Sequence, residues 1–389
     1  MSSLRAMLVL VLMVVVVAAG CSKKESDTSK TPPDKAKEET LQAAKPDSKP
    51  SMKSGIAFLA RKQNEDGSFG KADVGFTGLA VYSVASGPFA SEANAKEMVK
   101  KGADFLVSNL REDGSINQDP EMLAIYRTAL AVMALSAAGK EEYADTIKKA
   151  QEFLVKAQFS EDNGDFTAKN WEYGGWGYSS KPETMGKVAP DLSNAQFALS
   201  ALKDSGLSED SEAYKRAIIF LNRCQNRSET NDMGSSGEDG GGFYAPKESK
   251  AGPDTLPDGR AVYKSYGSMT YALLKGFVFC GLKMDDPRVK AAYDWISQHY
   301  TVDENPGMGQ MGLYYYHMTM AKTLSDLRID SITTPDGRKH DWRAELAAKI
   351  ISLQSADGSW SNKQDRWMEG DPTLTTSYAL TTLGYCGRK

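Results

Sequence analysis

The chain has 389 residues, 41% apolar and 25% charged, which is a globular composition long enough for one large domain or two ordinary ones. Its formal net charge is −4 with acids and bases interspersed, so there is no basic footprint and no nucleic-acid partner is expected. The chain contains four cysteines: Cys21, Cys224, Cys280 and Cys386. None belongs to a Cys-x-x-Cys pair, which argues against a disulfide framework and a thiolate metal site.

The first twenty residues predict export from the cytoplasm. Arg5 precedes an apolar run over 6–17 that is too short for a comfortable membrane span. Three small residues then lead directly into Cys21, a pattern that resembles the bacterial lipobox. The resemblance implies that Cys21 is lipidated and that Ser22, which follows it, directs the protein to the outer membrane, on its periplasmic or surface side. The alternative is an ordinary secretory signal peptide with an incidental cysteine.

The next segment, residues 21–51, is rich in lysine, acidic residues, proline, serine and threonine, and has almost no large apolar residue. Such a composition cannot bury enough surface to offset the entropy lost on ordering. We therefore expect a lipid-anchored flexible tether, followed by one folded domain over residues 52–389.

Six copies of a helical hairpin follow within that domain. Their equivalent positions are Gln63, Leu110, Gln158, Gln225, Tyr300 and Gln354, of which the fifth is the weakest match. In each copy a helix ends near this position, a turn such as Asp66-Gly67-Ser68-Phe69 follows, and a second, more apolar helix begins. A lone hairpin cannot bury its apolar face, and the sixth copy is as apolar as the middle ones. The pattern therefore predicts an all-α fold, a closed α/α toroid of six hairpins.

The pattern Gln-x-x-Asp-Gly-Ser-(Phe/Trp) resembles the "QW" repeats of squalene and hopene cyclases. The glycine-aromatic runs at 174–178 and 239–244 are similar to variants found in the same superfamily, that of terpenoid cyclases and protein prenyltransferases. This resemblance covers residues 52–388 and implies the toroid fold. It says much less about activity.

The catalytic motifs of these relatives are missing from the sequence. Cyclases that this chain resembles use an Asp-x-Asp-Asp acid motif, and the nearest match, Asp285-Asp286-Pro287, reads as a helix start. Prenyltransferases hold zinc with aspartate, cysteine and histidine, but Cys280 sits at a helix end and no Asp-x-Cys pair is present. We therefore expect no metal, no cofactor and none of the family's reactions, while enzyme status stays uncertain.

A carbohydrate-active barrel is a second enzymatic alternative, because such enzymes need paired carboxylates beside an aromatic cleft. The acids on the connecting loops are Asp119, Glu121, Glu172, Asp191, Asp365, Glu369 and Asp371. No spacing among them is diagnostic, and Asp191 is better explained as the cap of the helix that follows it.

Two long insertions, 160–190 and 227–265, should lie side by side at one end of the barrel and form the edge of a binding site. The candidate ligand-binding residues are Trp176, Tyr178, Phe243, Tyr244, Tyr266, Tyr314, Tyr316 and His317. Within the tyrosine run 314–316, at least one side chain should point into the lumen. The sequence favours an envelope lipoprotein that binds an apolar, isoprenoid-like ligand or a protein partner. The alternatives are a divergent isoprenoid-processing or carbohydrate-active enzyme and a purely structural role.

Overall fold

The computed structural model describes residues 45–119, 122–179 and 189–388, which form paired helices with a few short strands. In chain order the helices are α1 (Lys49–Lys62), α2 (Val74–Ala85), α3 (Ala93–Ser108), α4 (Ala124–Gly139), α5 (Ala144–Lys156), α6 (Leu192–Ser205), α7 (Glu212–Arg223), α8 (Gly267–Phe279), α9 (Pro287–Gln298), α10 (Leu313–Asp326), α11 (Trp342–Ser352) and α12 (Pro372–Cys386). A short 3₁₀ helix, Arg366–Met368, precedes α12. The prediction of an all-α fold is confirmed.

The even-numbered helices form an inner ring. Each contacts the next along the chain, and α12 contacts α2, so the ring is closed. The odd-numbered helices pack outside it and bury one stripe of side chains each. On α7, for example, the buried stripe includes Ala213, Ala217, Phe220 and Leu221, at the spacing of one helix face. The six-hairpin toroid predicted from the repeats is therefore confirmed.

The turn within a hairpin explains why glycine recurs there. Gly174 and Gly358 adopt positive φ angles of 84° and 92°. A Cβ atom on Gly174 would lie 2.0 Å from the carbonyl oxygen of Arg216 on α7, and one on Gly358 would lie 2.5 Å from the carbonyl oxygen of Ser54 on α1. Any side chain would therefore push the turn away from the neighbouring outer helix.

The recurring glutamine fastens adjacent hairpins to each other. The Gln63 side-chain amide donates at 2.9 Å to the carbonyl of Gly67 in its own turn and at 2.9 Å to that of Met98 on α3. Gln354 makes the same pair of bonds, its second acceptor being the carbonyl of Ser51 on α1 at 2.9 Å, which joins the last hairpin to the first. In the weakest copy, the Tyr300 hydroxyl instead donates to Glu345 on α11 at 2.8 Å.

The insertion 227–265 joins α7 to α8, and two of its residues, Tyr244 and Lys250, line the cavity described below. It contains an antiparallel hairpin of β1 (Pro253–Thr255) and β2 (Ala261–Tyr263). The Asn226 side chain anchors it by donating to the carbonyl of Tyr263 at 2.7 Å and to the hydroxyl of Ser265 at 2.8 Å. A second small hairpin pairs β3 (Ile332–Thr333) with β4 (Lys339–His340) between α10 and α11.

At the N-terminal side, α1 begins at Lys49, inside the segment expected to be tether, because Pro50 is well tolerated in the first turn of a helix. The signal peptide, Cys21 and the tether up to residue 44 lie outside the described residues. Of the helices that the structure describes, none is both long and apolar enough to cross a bilayer. Cys224, Cys280 and Cys386 are free thiols, as expected.

Candidate ligand-binding site

A cavity of about 450 Å³ occupies the end of the barrel where the inner helices begin. Every inner helix contributes to its wall near its first residue or cap, in chain order through Asp73, Leu123, Ser193, Tyr266, Gly312 and Leu374. This end of the interior is called the upper half of the lumen below. Its volume is within the range of small-molecule sites in proteins.

Tyrosine dominates the wall of the upper half. Six tyrosines line the cavity: Tyr126, Tyr178, Tyr244, Tyr266, Tyr315 and Tyr378. Burial raises the pKa of each of them, that of Tyr178 to about 12, so their hydroxyl groups stay protonated. Phe76, Leu79 and Leu130 fill the wall between them. The rings and aliphatic chains suit an apolar body, while the hydroxyls can pair with oxygen atoms.

The tyrosine hydroxyls are partly paired with one another. Tyr178 and Tyr244 bring their hydroxyl oxygens to 3.2 Å, and the Tyr126 and Tyr378 hydroxyls, on the two helices that flank α2, influence each other. Tyr315 lies 3.0 Å from the hydroxyl oxygen of Ser193. These groups project from different helices and loops, so the hydrogen bonds help to hold the wall in place.

Asp191 lies just behind this wall and caps α6, as predicted. Its Oδ1 accepts from the backbone N–H of Asn194 at 2.8 Å and its Oδ2 from the Asn194 side chain at 2.8 Å. The nearby Tyr244 hydroxyl also favours the charged form of Asp191. Burial raises the pKa of Asp191 to about 6, against the lowering effect of these hydrogen bonds. Asp191 is therefore a buried carboxyl group with a raised pKa, directly behind the cavity wall.

Charged groups are concentrated at the opening of the cavity. Asp73 and Arg127 form an ion pair at 2.6 Å, and Asp73 also caps α2 through the N–H of Phe76. The Lys250 ammonium group lies 4.2 Å above the centre of the Tyr244 ring. Both partners of the ion pair line the cavity, so a ligand in the upper half lies beside a closed ion pair and meets no isolated charge from it.

Glu369 is almost fully buried and serves the start of α10. One carboxylate oxygen accepts from the backbone N–H of Tyr315 at 2.8 Å and the other from the Asn362 side chain at 2.7 Å. Burial raises its pKa, although these bonds oppose the rise. Asp371 similarly caps α12, and Asp365 accepts from the N–H of Gly370. These acids therefore have structural partners, while Glu121, considered with them, lies outside the described residues.

Exposed apolar side chains surround the opening, which is called the mouth below. Met122, Trp367 and Met368 are 52%, 45% and 57% exposed. Leu123, Trp367 and Met368 adopt left-handed backbone conformations with φ of 60°, 61° and 65°, which cost non-glycine residues about 1–2 kcal/mol each. Strained, apolar segments thus border the mouth on two sides, a feature of entrances and ligand clamps.

The other end of the interior, where the inner helices end, is called the lower half. Two buried lysines occupy it. Lys275 donates to the Gln196 side-chain oxygen at 2.9 Å, and burial lowers its pKa to about 7. Lys322 donates to the Tyr385 hydroxyl at 2.9 Å and pairs with Asp326 at 3.0 Å. Burial lowers its pKa too, but the surrounding tyrosines and carboxylates outweigh burial and raise that pKa overall.

The sequence model of the squalene-hopene cyclase C-terminal domain family matches residues 87–247 and, in an overlapping alignment, residues 122–382. The chain belongs to this family. No curated protein sequence matches the chain.

Solved structures similar to this squalene-hopene cyclase C-terminal domain protein include the apo form of type II terpene cyclase MstE from Scytonema. It is 14% identical, with a TM-score of 0.53 over 86% of this chain and 97% of the cyclase. An MstE variant in complex with its substrate, geranylgeranyl dihydroxybenzoate, matches at the same identity and score over 87% and 97%. A protein from Actinoplanes is 13% identical, with a TM-score of 0.50 over 88% and 100%. At such identities the similarity establishes the fold and not the activity.

Among the predicted site residues of this family member, Tyr178, Tyr244 and Tyr266 line the cavity. Trp176 and Phe243 do not, and this corrects their assignment to a binding surface. Both are fully buried behind the wall, and the Trp176 indole donates to the Leu154 carbonyl of its own hairpin at 2.8 Å. Their place next to the glycines of the turns makes them packing residues.

Tyr314, Tyr316 and His317 are also absent from the cavity wall, which is a second correction. The Tyr316 hydroxyl donates to the Thr301 carbonyl at 2.7 Å, and His317 Nε2 lies 2.9 Å from the Val302 carbonyl oxygen. Burial lowers the pKa of His317 to about 4, so it is a neutral core residue. Consecutive helical residues are about 100° apart, and it is Tyr315 that faces the lumen.

Proposed function

We propose that the protein binds one small molecule with an apolar, isoprenoid-like body in the upper half of the lumen. The observation that carries the proposal is the cavity of about 450 Å³, walled by tyrosine rings and leucines and entered through an apolar mouth. In the similar toroid of MstE, solved complexes contain geranylgeranyl dihydroxybenzoate and merosterolic acid A. A ligand of that kind would cover apolar surface that the empty cavity leaves in contact with water.

The test is native mass spectrometry of the protein purified with its lipids from the envelope of a bacterial host, followed by solvent extraction. We expect one small molecule per chain, released on denaturation. Leu79→Trp would fill the cavity, and the bound molecule should then be absent. Leu79→Met, a volume-conserving control, should retain the bound molecule. An empty wild-type protein that also fails to bind added geranylgeraniol would refute the proposal and favour a partner protein at the mouth.

A second candidate function is enzymatic, and Asp191 is the observation that favours it. A buried carboxyl group with a pKa of about 6, directly behind the cavity wall and near Tyr244, resembles the tuned acids of proton-transfer sites. We would incubate the protein with geranylgeraniol and look for isomers of unchanged mass by chromatography. Products formed by the wild type and lost in Asp191→Asn, with geranylgeraniol affinity preserved, would establish catalysis.

We further propose that the domain is held at the cell envelope through lipidated Cys21. The support is the apolar run over 6–17 and the small residues that directly precede the cysteine. Cells fed labelled palmitate should incorporate label into the wild type but not into Cys21→Ser, which should appear in the soluble fraction. Label in both proteins would contradict the assignment.

A further inference from the structure

At its inner end the cavity meets a hydrogen-bonded series of buried polar side chains. This series, called the polar chain, reaches from the lower half of the lumen to the upper half. Lys275 on α8 bonds to Gln196 on α6, and Gln196 bonds to Tyr315 on α10. Tyr315 in turn lies 3.0 Å from Ser193, and both of these residues line the cavity. The leucines nearby have no polar atoms, so this chain decides which polar groups a ligand meets there.

The lysine sets the direction of the hydrogen bonds. A protonated lysine can only donate, so the atom of the Gln196 amide at 2.9 Å from it must be the oxygen. The NH₂ group of Gln196 therefore faces Tyr315. Because an amide NH₂ group cannot accept, the Tyr315 oxygen is the acceptor in that bond. The Tyr315 proton has to point elsewhere.

Counting the protons gives the chemistry of the surface. Tyr315 and Ser193 together carry two hydroxyl protons, and the single bond between their oxygens uses one of them. Across the described ranges, neither hydroxyl has another acceptor within hydrogen-bonding distance. Whichever of the two donates to the other, one proton remains available to the cavity.

We propose that the Tyr315–Ser193 pair donates a hydrogen bond to an oxygen atom of the ligand, so that the lumen selects an oxygenated isoprenoid over the corresponding hydrocarbon. This inference rests on the proposed function and specifies its ligand class. A hydrocarbon would leave a buried donor unpaired, which is costly. We expect the oxygenated molecule to bind about ten-fold to a hundred-fold more tightly.

Three probes show whether the cavity donates a hydrogen bond to the ligand or accepts one from it. Geranylgeraniol can donate and accept hydrogen bonds, and its methyl ether can only accept them. The third probe is the hydrocarbon in which hydrogen replaces the hydroxyl group, and it can do neither. Dissociation constants of the full chain would be measured at pH 6, where Lys275 is protonated. The charged groups near it, Lys322, Asp204 and Asp326, are common to all measurements. The wild type should bind the alcohol and the ether with similar affinity, and the hydrocarbon at least ten-fold more weakly.

Gln196→Glu is the decisive variant because it keeps the side-chain shape and reverses the direction of the bonds. Its carboxylate pairs with Lys275 and accepts the Tyr315 proton, while Ser193 donates to Tyr315, so the Tyr315–Ser193 pair has no proton left for the ligand. In this variant the ether should bind no more tightly than the hydrocarbon. The alcohol, which can donate a hydrogen bond, should still bind more tightly than the hydrocarbon. Ser193→Ala should retain the ether preference, because the Tyr315 proton is then free. Ser377→Ala, which removes a buried hydroxyl that does not line the cavity, serves as the control.

The outcomes distinguish this inference from the proposed function. If the wild type binds ether and hydrocarbon equally well, or if folded Gln196→Glu keeps the ether preference, the inference is wrong and the lumen still binds isoprenoids. If none of the three probes binds the wild type, the proposed function fails, and the inference fails with it. Loss of the ether preference in the double variant Ser193→Ala, Tyr315→Phe provides a second test should Gln196→Glu not fold.

Discussion

The two halves of the lumen are built by the same six helices and are filled in different ways. In the upper half, tyrosine hydroxyls pair with each other or with small neutral groups, and a cavity of about 450 Å³ remains between the rings. The lower half is packed with charged and polar side chains from five inner helices: Tyr82, Asp204, Lys275, Lys322, Asp326 and Tyr385. The toroid thus keeps open space at the end that the mouth reaches.

The position of the buried charges has an electrostatic reason. All six inner helices point the same way, so their N-termini surround the cavity and their C-termini surround the lower half. Helix C-termini carry partial negative charge and favour cations, which suits Lys275 and Lys322 near the ends of α8 and α10. Concentrating buried ions there leaves the deep wall of the cavity largely uncharged, as an apolar ligand requires.

The strongest way to break this comparison is to remove the central cation of the lower half. Lys322→Met takes the ammonium group away from Tyr385 and Asp326, and leaves the Asp326 and Asp204 carboxyl groups without their nearest counter-charge. We expect a loss of about 3–5 kcal/mol in the free energy of unfolding, measured by urea denaturation. The matched control, Lys100→Met on the outer surface, should change it by less than about 0.5 kcal/mol. A loss as small as the control's would show that the lower half does not depend on its ion pairs.

The second prediction concerns the pH dependence of the upper half. The side chains next to the Asp191 carboxyl group, Asn194 and Tyr244, are neutral, and burial raises the pKa of Asp191 from an ordinary value near 4 to about 6. The folded protein therefore holds more protons than the unfolded chain between these pH values. Stability contributed by this group is complete below about pH 4 and is lost as pH rises through 6.

We expect that loss to reach up to about 3 kcal/mol relative to Asp191→Asn, whose side chain also caps helices well. The measurement is the free energy of unfolding of both proteins at several pH values from 4 to 7. Parallel curves would mean that Asp191 is more hydrated than its burial implies, and that the upper half is open to water as far as α6.

The outer frame of the molecule could be predicted from the sequence because its determinants are local. Gly67 and Gly358 are needed for positive φ and for close approach to the next helix, and Gln63 and Gln354 for the bonds between hairpins. These requirements leave a readable pattern of residues. The copy at Tyr300 departs from the pattern because a bond from its hydroxyl to the Glu345 carboxylate replaces the pair of glutamine hydrogen bonds there.

The lumen could be predicted only in outline, because the rotation of an inner helix is set by packing and not by a local motif. The run 314–316 offered three tyrosines, and Tyr315 faces the lumen while its neighbours bond to loops or pack in the core. The polar chain in the lower half was missed altogether. A signal was present, since Lys275 is the one charged residue in the segment of α8. An isolated lysine in an otherwise apolar helix indicates a buried cation that has polar partners on neighbouring helices, as Lys275 has in Gln196.

The smallest expected difference comes from the same change, tyrosine to phenylalanine, at two positions of one helix. Tyr378 and Tyr385 lie two turns apart on α12, the first in the upper half and the second in the lower half. The Tyr385 hydroxyl accepts from the Lys322 ammonium group at 2.9 Å and bonds to Tyr82, whereas the Tyr378 hydroxyl has only the neutral Tyr126 hydroxyl near it beside the cavity. Hydrogen bonds to charged groups contribute about 1.5–3 kcal/mol, and neutral ones about 1 kcal/mol.

Tyr385→Phe should therefore destabilise the protein by about 2 kcal/mol and Tyr378→Phe by about 1 kcal/mol or less, as measured by urea denaturation at pH 7. With a saturating ligand the order of the two variants should persist, because binding in the cavity stabilises both folded proteins without touching Tyr385. Equal losses would show that hydroxyl groups in the two halves experience the same environment. The contrast between an open half walled mainly by tyrosines and a packed ionic half would then rest on shape alone.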